Sequence, residues 1–142
     1  MNNIVLISGG FDPIHSGHIK LITEAGSYGD VVVLLNSDKW LKNKKGSEFL
    51  SFEERKVIMI ALKKVVDVIE FNDTDNTCVD GIKKAVIKYK ERKIKFANGG
   101  DRNYETTPEL NYCKNNNIEM LWGIGGEKKS NSSSSILKKW KE

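Results

Sequence analysis

Between Gly9 and His18 the chain reads Gly-Gly-Phe-Asp-Pro-Ile-His-Ser-Gly-His. Both histidines of the protein, His15 and His18, lie in this segment, three residues apart. Glycines at the end of an apolar run allow close approach of backbone to an anion. A helix beginning near Gly17 would add unpaired backbone N–H groups and the positive end of its dipole. Two imidazoles at the first turn of that helix can donate hydrogen bonds to one phosphate as negative charge builds on it. The chemistry expected of Gly9, Gly10, His15, Gly17 and His18 is therefore chemistry at a bound phosphate. In that chemistry, catalysis is mainly positioning and charge neutralisation.

Such a segment needs a scaffold, and apolar runs alternate with amphipathic stretches along the chain. Ile4–Ile7, Val31–Leu35, Val66–Phe71, Ile94–Ala97 and Ile118–Trp122 read as strands, with Val31–Leu35 the clearest. Helices are expected over Gly17–Ala25, over Ser51–Val65 behind a Ser-Phe-Glu-Glu capping box, and from Thr77 or Asp80 to Tyr89. Another is expected where Pro108 fits a first turn, and a last over Ser132–Trp140. Residues 42–48 read as a polar loop carrying Lys42 and Lys45. Strictly alternating strands and helices predict a single α/β domain over residues 1–142. Its architecture is a Rossmann-like, doubly wound, five-stranded parallel sheet flanked by helices. Ligands of such sheets sit beyond the carboxyl ends of the strands, at a switch point. The loops after the first, fourth and fifth strands carry the Gly, His, Asp and Ser residues.

With those motifs placed, the segment from Gly9 to His18 resembles the H-x-G-H signature of the cytidylyltransferase-like nucleotidyltransferase superfamily. That group includes glycerol-3-phosphate cytidylyltransferase, pantetheine-phosphate adenylyltransferase and the adenylyltransferase domain acting on heptose 1-phosphate. Asn36-Ser37-Asp38 is similar to the Asn-Ser-Asp of the heptose enzymes, and Lys42, Lys45 and Gly46 fall at their Lys-x-x-Lys-Gly stretch. Arg55 resembles the family arginine that holds phosphate. Asn98 to Arg102 is similar to the Gly-Gly-Asp loop, and Gly125-Gly126 with Ser132, Ser133 and Ser134 resembles the loop opening the last helix.

The resemblance implies that His15, His18, Lys45 and Arg55 are catalytic. It implies that Gly9, Gly10, Phe11, Asp12, Gly17, Lys42, Gly99, Gly100, Asp101 and Ser132 to Ser134 bind nucleotide. Asp38 and Arg102 would meet the acceptor. Magnesium would arrive bound through the triphosphate, and no protein metal-ligand spacing is present. The glycerol-3-phosphate enzymes carry an Arg-Thr-x-Gly-Ile segment before their serine loop. This chain has Gly126 to Asn131 there instead, so ATP is expected over CTP. The expected reaction is transfer of a nucleoside monophosphate to a sugar phosphate or related small phosphorylated substrate, with pyrophosphate released. The alternatives are a CTP-dependent glycerol-3-phosphate-type enzyme and a nucleotide-binding sensor without catalysis.

Composition fits this reading. With 142 residues, 39% hydrophobic and 30% charged, the chain can bury a core without staples. Its two cysteines make neither a disulfide framework nor a zinc pattern. The net charge of +4 favours anionic ligands, but the lysines are dispersed and nucleic acid is not expected as a partner. No apolar run is long enough to span a membrane, and the first ten residues lack the features of a signal peptide. A cytoplasmic homodimer is the expected setting.

Overall fold

A computed structural model describes residues 2–100, 107–126 and 132–141. The elements follow one another as β1 (Ile4–Gly9), α1 (Ser16–Ala25), β2 (Asp30–Leu35), α2 (Asp38–Lys45), α3 (Phe52–Ile60) and β3 (Val65–Glu70). The second half adds α4 (Val79–Lys88), β4 (Ile94–Gly99), α5 (Leu110–Asn115), β5 (Glu119–Ile124) and α6 (Ser133–Lys141). The five strands form one sheet in the order β3-β2-β1-β4-β5, and every pairing is parallel. The chain winds outward from β1 through β2 to β3, then crosses back to β4 and β5. The switch point therefore falls between β1 and β4.

Both faces of the central strands are covered, which explains their unbroken apolar runs. Ile4, Leu6, Val32, Leu34, Ile94 and Phe96 point to one face, where Ile82 and Ala85 of α4 and Cys113 of α5 pack on them. Val5, Ile7, Val31, Val33, Leu35 and Ala97 point to the other, under Ile22 and Ala25 of α1 and Met59 of α3. The doubly wound parallel sheet expected from the alternation is the fold observed.

Two local expectations are corrected. Residues 42–48 are not a loop as far as Lys45: they continue α2. Ser37 Oγ accepts the Trp40 N–H as N-cap, and Gly46 ends the helix in the left-handed region at φ 91°. Only Leu41 of this helix is buried, so it has no apolar period to betray it. The helix expected over Ser51–Val65 stops at Ile60, because Lys64 turns at φ 93° and Val65 enters β3. Its inward residues are Arg55 and Met59, while Val57 and Ile60 are exposed. The sequence also places Val57, Ile58, Ile60, Ala61 and Leu62 on one apolar helical face, and that is not the face that packs.

Candidate active site

β1 ends at Gly9, beside the crossover, and its exit segment builds the floor of a cleft. A Cβ on Gly10 would lie 2.7 Å from Leu41 Cδ2, so this glycine lets α2 seat against the end of β1. Phe11 takes φ 50° and is buried, its ring edge-on to the His18 ring at 4.8 Å.

His15 is the N-cap of α1. Its Nδ1 accepts the Gly17 N–H at 3.0 Å, and His18 Nδ1 accepts the His15 N–H at 3.2 Å. The two rings stack at 3.8 Å. An imidazole nitrogen that accepts from a backbone amide carries no proton, so each neutral ring carries its proton on Nε2. The capping box thereby fixes both tautomers as donors.

A second group of contacts locks the loop after β1. Asp12 is buried, its Oδ1 accepting the Leu50 N–H at 2.8 Å and its Oδ2 the Phe49 N–H at 2.6 Å. Lys45 Nζ donates to the Asp12 carbonyl at 2.8 Å. Burial lowers the Lys45 pKa from the ordinary lysine value; the Asp12 carboxylate opposes this, while the Lys44 and Arg55 charges add to it. Lys44 also lines the cleft, its ammonium 4.8 Å above the Trp40 ring. Lys42 is elsewhere, its side chain 58% exposed and 3.8 Å from Glu48 Oε2.

Arg55 does not reach the cleft wall. Its side chain has no exposed surface, and its guanidinium donates to Leu50 O at 3.0 Å, Gly10 O at 3.0 Å, Asn36 O at 2.8 Å and Asp38 Oδ1 at 2.7 Å. Asp38 is drawn away with it. The structure therefore uses this pair to join the ends of β1 and β2 to α3. In this arrangement the guanidinium of Arg55 and Oδ1 of Asp38 are engaged with each other.

On the far side, Asp73 clamps the start of α2, accepting from Asn36 Nδ2 at 3.1 Å, Ser37 N at 2.8 Å and Ser37 Oγ at 2.8 Å. At the N-terminus of α6, Ser132 Oγ accepts the Ser135 N–H at 3.1 Å and Ser133 Oγ donates to Pro13 O at 2.8 Å. The serine helix is thus tied to the loop that carries His15.

These elements enclose a cleft of about 430 Å³. Its wall brings together Gly9, Gly10, Phe11, Asp12, His15, Gly17, His18, Lys45, Gly99, Gly100 and Ser132 to Ser134, as the sequence led one to expect. It omits Lys42, Arg55 and Asp38. Asp101 and Arg102 lie outside the described residues. Lys44, which the sequence leaves as an alternative to Lys42 and Lys45, is also on the wall, and sequence reasoning missed Asn98, Thr77, Cys78 and Glu109. Glu109 is buried, and its Oε2 accepts the Cys78 N–H at 2.9 Å. Its only signal was its place after Pro108, which read as an ordinary helix start.

The model of the family described as cytidylyltransferase-like matches residues 6–139. The chain belongs to the cytidylyltransferase-like family. The expected membership of this family is borne out. Among relatives of this cytidylyltransferase-like chain is the bifunctional protein HldE of Geobacter metallireducens, 31% identical over 145 residues that cover 98% of this chain. The HldE of Enterobacter sp. is 32% identical over 111 residues, 69% of this chain. The chain spans 28% of the length of the Geobacter protein and 23% of the Enterobacter one. A solved lipopolysaccharide core biosynthesis protein from Thermoplasma volcanium shares the fold with a TM-score of 0.66 at 23% identity, over 91% of this chain and 98% of that one. A putative nicotinate-nucleotide adenylyltransferase from Vibrio parahaemolyticus does so with a TM-score of 0.63 at 16% identity, over 97% of this chain and 86% of that one. Among the described residues no helix is long and apolar enough to cross a membrane.

Proposed function

We propose that this chain transfers a nucleoside monophosphate, AMP in preference, from a triphosphate to the phosphate of a sugar phosphate or related small acceptor. The observation that carries this reading is the paired Nδ1 capping of His15 and His18, which leaves both Nε2–H groups as donors at the N-terminus of α1. Lys44 and Lys45 from α2 and the N-terminus of α6 border the same cleft. This supports a site for a polyanion gripped from three directions. An acceptor phosphate oxygen attacks the α-phosphorus in line. The bond between that phosphorus and the bridging oxygen to the β-phosphate breaks, and pyrophosphate leaves with the electron pair. The histidines stabilise charge on the α-phosphoryl oxygens, and the lysines and α6 hold the leaving phosphates.

Magnesium, carried in on the triphosphate, would share its charge. The cleft suits an ion held by phosphate rather than by a protein cage, since both oxygens of Asp12 are taken by backbone amides. The relatives named HldE and the Asn36-Ser37-Asp38 match support a sugar 1-phosphate of the heptose kind as acceptor.

The test is pyrophosphate release with each of four triphosphates against a panel of sugar and polyol phosphates. Release with ATP and a sugar 1-phosphate is expected; no release with any pair would overturn the reading. Calorimetric titration with magnesium separates the bases. Binding of CTP tenfold tighter than ATP, about 1.4 kcal/mol, would replace ATP by CTP.

A further inference from the structure

One buried polar side chain of the cleft wall stands out. Asn98, near the carboxyl end of β4, is 1% exposed and lines the cleft. Its Nδ2 donates to the Leu121 carbonyl at 3.1 Å, while its buried Oδ1 has no hydrogen-bond partner among the described residues. The Leu121 carbonyl needs a donor, so the amide cannot be turned over without loss, and the oxygen is the group left over. A buried acceptor without a partner is rare and costly, and calls for an explanation.

The strand geometry supplies an independent reason to look here. Ala97 pairs with Leu121 and Gly99 with Ile124, so the single residue Asn98 faces both Trp122 and Gly123. This is a β-bulge, and Gly123 accommodates it at φ 68°. Bulges interrupt the ladder and re-aim side chains beside functional sites. Here the Asn98 amide takes over a carbonyl that the ladder would otherwise serve.

Along β4, Ile94 and Phe96 face the layer of α4 and α5, and alternation puts Asn98 on the same side. Cys78 and Glu109 border the cleft from that layer, and Glu109 is a carboxylate only 2% exposed. The groups suited to phosphate are displaced from it: His15 and His18 belong to α1, which packs on the opposite face, and α6 is tied to Pro13 beside them. A carboxylate on this wall disfavours phosphate, and the amide oxygen of Asn98 is an acceptor suited to a hydroxyl.

We infer that Asn98 Oδ1 is a specificity-determining acceptor that takes a hydrogen bond from a hydroxyl of a bound carbohydrate group, with Glu109 on the same wall. The hydroxyl belongs either to the triphosphate's ribose or to the acceptor. This assignment rests on the nucleotidyl-transfer reading.

The test deletes the hydroxyl and the side chain separately. kcat/KM is measured for ATP against 2′-deoxy-ATP and 3′-deoxy-ATP, and for hexose and heptose 1-phosphates against their single-deoxy analogues. Wild type, Asn98→Ala and Asn98→Asp are compared, each checked by melting temperature. The wild type should lose about tenfold when the recognised hydroxyl is removed. Asn98→Ala should fail to tell the two ligands apart, and Asn98→Asp, which keeps an acceptor, should still discriminate. The ligand series that shows the effect identifies the source of the hydroxyl. If Asn98→Ala does not fold, Asn98→Ser replaces it.

A purely structural role for Asn98 would leave hydroxyl selectivity intact in every folded variant. That result, or a wild type indifferent to every deletion, overturns the inference. Failure of the wild type to release pyrophosphate from any pair would instead defeat the nucleotidyltransferase reading. Calorimetric titration with the same nucleotides and sugar phosphates needs no turnover, so it still tests Asn98 in that case.

Discussion

His15 and His18 cap the same helical turn through one another: His18 Nδ1 accepts the His15 N–H at 3.2 Å while His15 Nδ1 accepts the Gly17 N–H at 3.0 Å. Each histidine therefore has a backbone task at one nitrogen and a donor at the other. Replacing His18 by Ala should lower single-turnover pyrophosphate release at least about a hundredfold, the scale of a lost transition-state donor. His15→Ala should do the same and also lose a cap, about 1 kcal/mol. His15→Asn separates the two tasks, because its amide oxygen can still cap. Near-normal melting with lost turnover is expected of it. Full turnover in His15→Asn or His18→Ala would remove the catalytic assignment.

Legibility in the sequence followed burial. The strands were readable because parallel strands covered on both faces are apolar throughout, as Val31 to Leu35 are. The His15–His18 turn was readable because glycine, histidine and a helix start coincide. α2 was not, since Leu41 is its only buried residue. Its signals were capping ones, Ser37 at the start and Gly46 at the end. Arg55 was read as a phosphate-holding arginine, and its burial was not foreseen, because nothing local tells a buried guanidinium from an exposed one; its acceptors at Gly10 and Asn36 are distant in sequence. Asn98 and Glu109 escaped for the same reason, as a bulge and a cross-layer contact depend on partners that the local pattern does not specify.

Arg55 is expected to matter for stability first. Truncation to Ala would strip donors from three carbonyls and leave Asp38 without its cation, at a cost of about 3 kcal/mol or more. Arg55→Lys should also be destabilising, because one ammonium cannot span four acceptors set around a planar fork. Urea midpoints measure this. Normal midpoints with abolished turnover would return Arg55 to the phosphate role that its family position implies.

Acid should loosen the edge strand β3 and the start of β2. Asp67 accepts from Lys88 Nζ at 2.6 Å and Tyr89 Oη at 2.6 Å. Burial raises its pKa, but those hydrogen bonds outweigh burial and hold it below the ordinary 3.8. The Arg92 hydrogen bond likewise depresses Asp30. With folded values below unfolded ones, the unfolded state binds protons first, and this stability is lost as pH falls through that interval. Asp67→Asn should cost about 1 kcal/mol at neutral pH, since Lys88 is largely solvated. Its deficit against wild type should close as pH falls below the ordinary 3.8 and through the lowered folded value. A deficit independent of pH would mean that packing, not charge, is lost.

Lys45 is the cation whose titration should be visible in the reaction. Its Nζ is held on the Asp12 carbonyl at 2.8 Å, and burial sets its pKa below the ordinary lysine value of 10.5. The charged form is the one that neutralises a triphosphate, so kcat/KM, which reports the free enzyme, should fall on the alkaline side below 10.5. The linked stability has the opposite sign: between the two values the unfolded chain binds more protons, so Lys45's contribution improves as pH rises. Lys45→Arg should move the alkaline fall upward, because a guanidinium does not titrate there. Lys45→Ala should lose at least about tenfold in turnover, an effect of about 1.4 kcal/mol, while still melting cooperatively. Lys42→Ala, which changes only an exposed pair with Glu48, should leave turnover unchanged. Steady-state profiles of the three variants over the alkaline range decide the matter. Activity lost in Lys42→Ala and kept in Lys45→Ala would place the gripping lysine on the outer side of α2, away from the cleft.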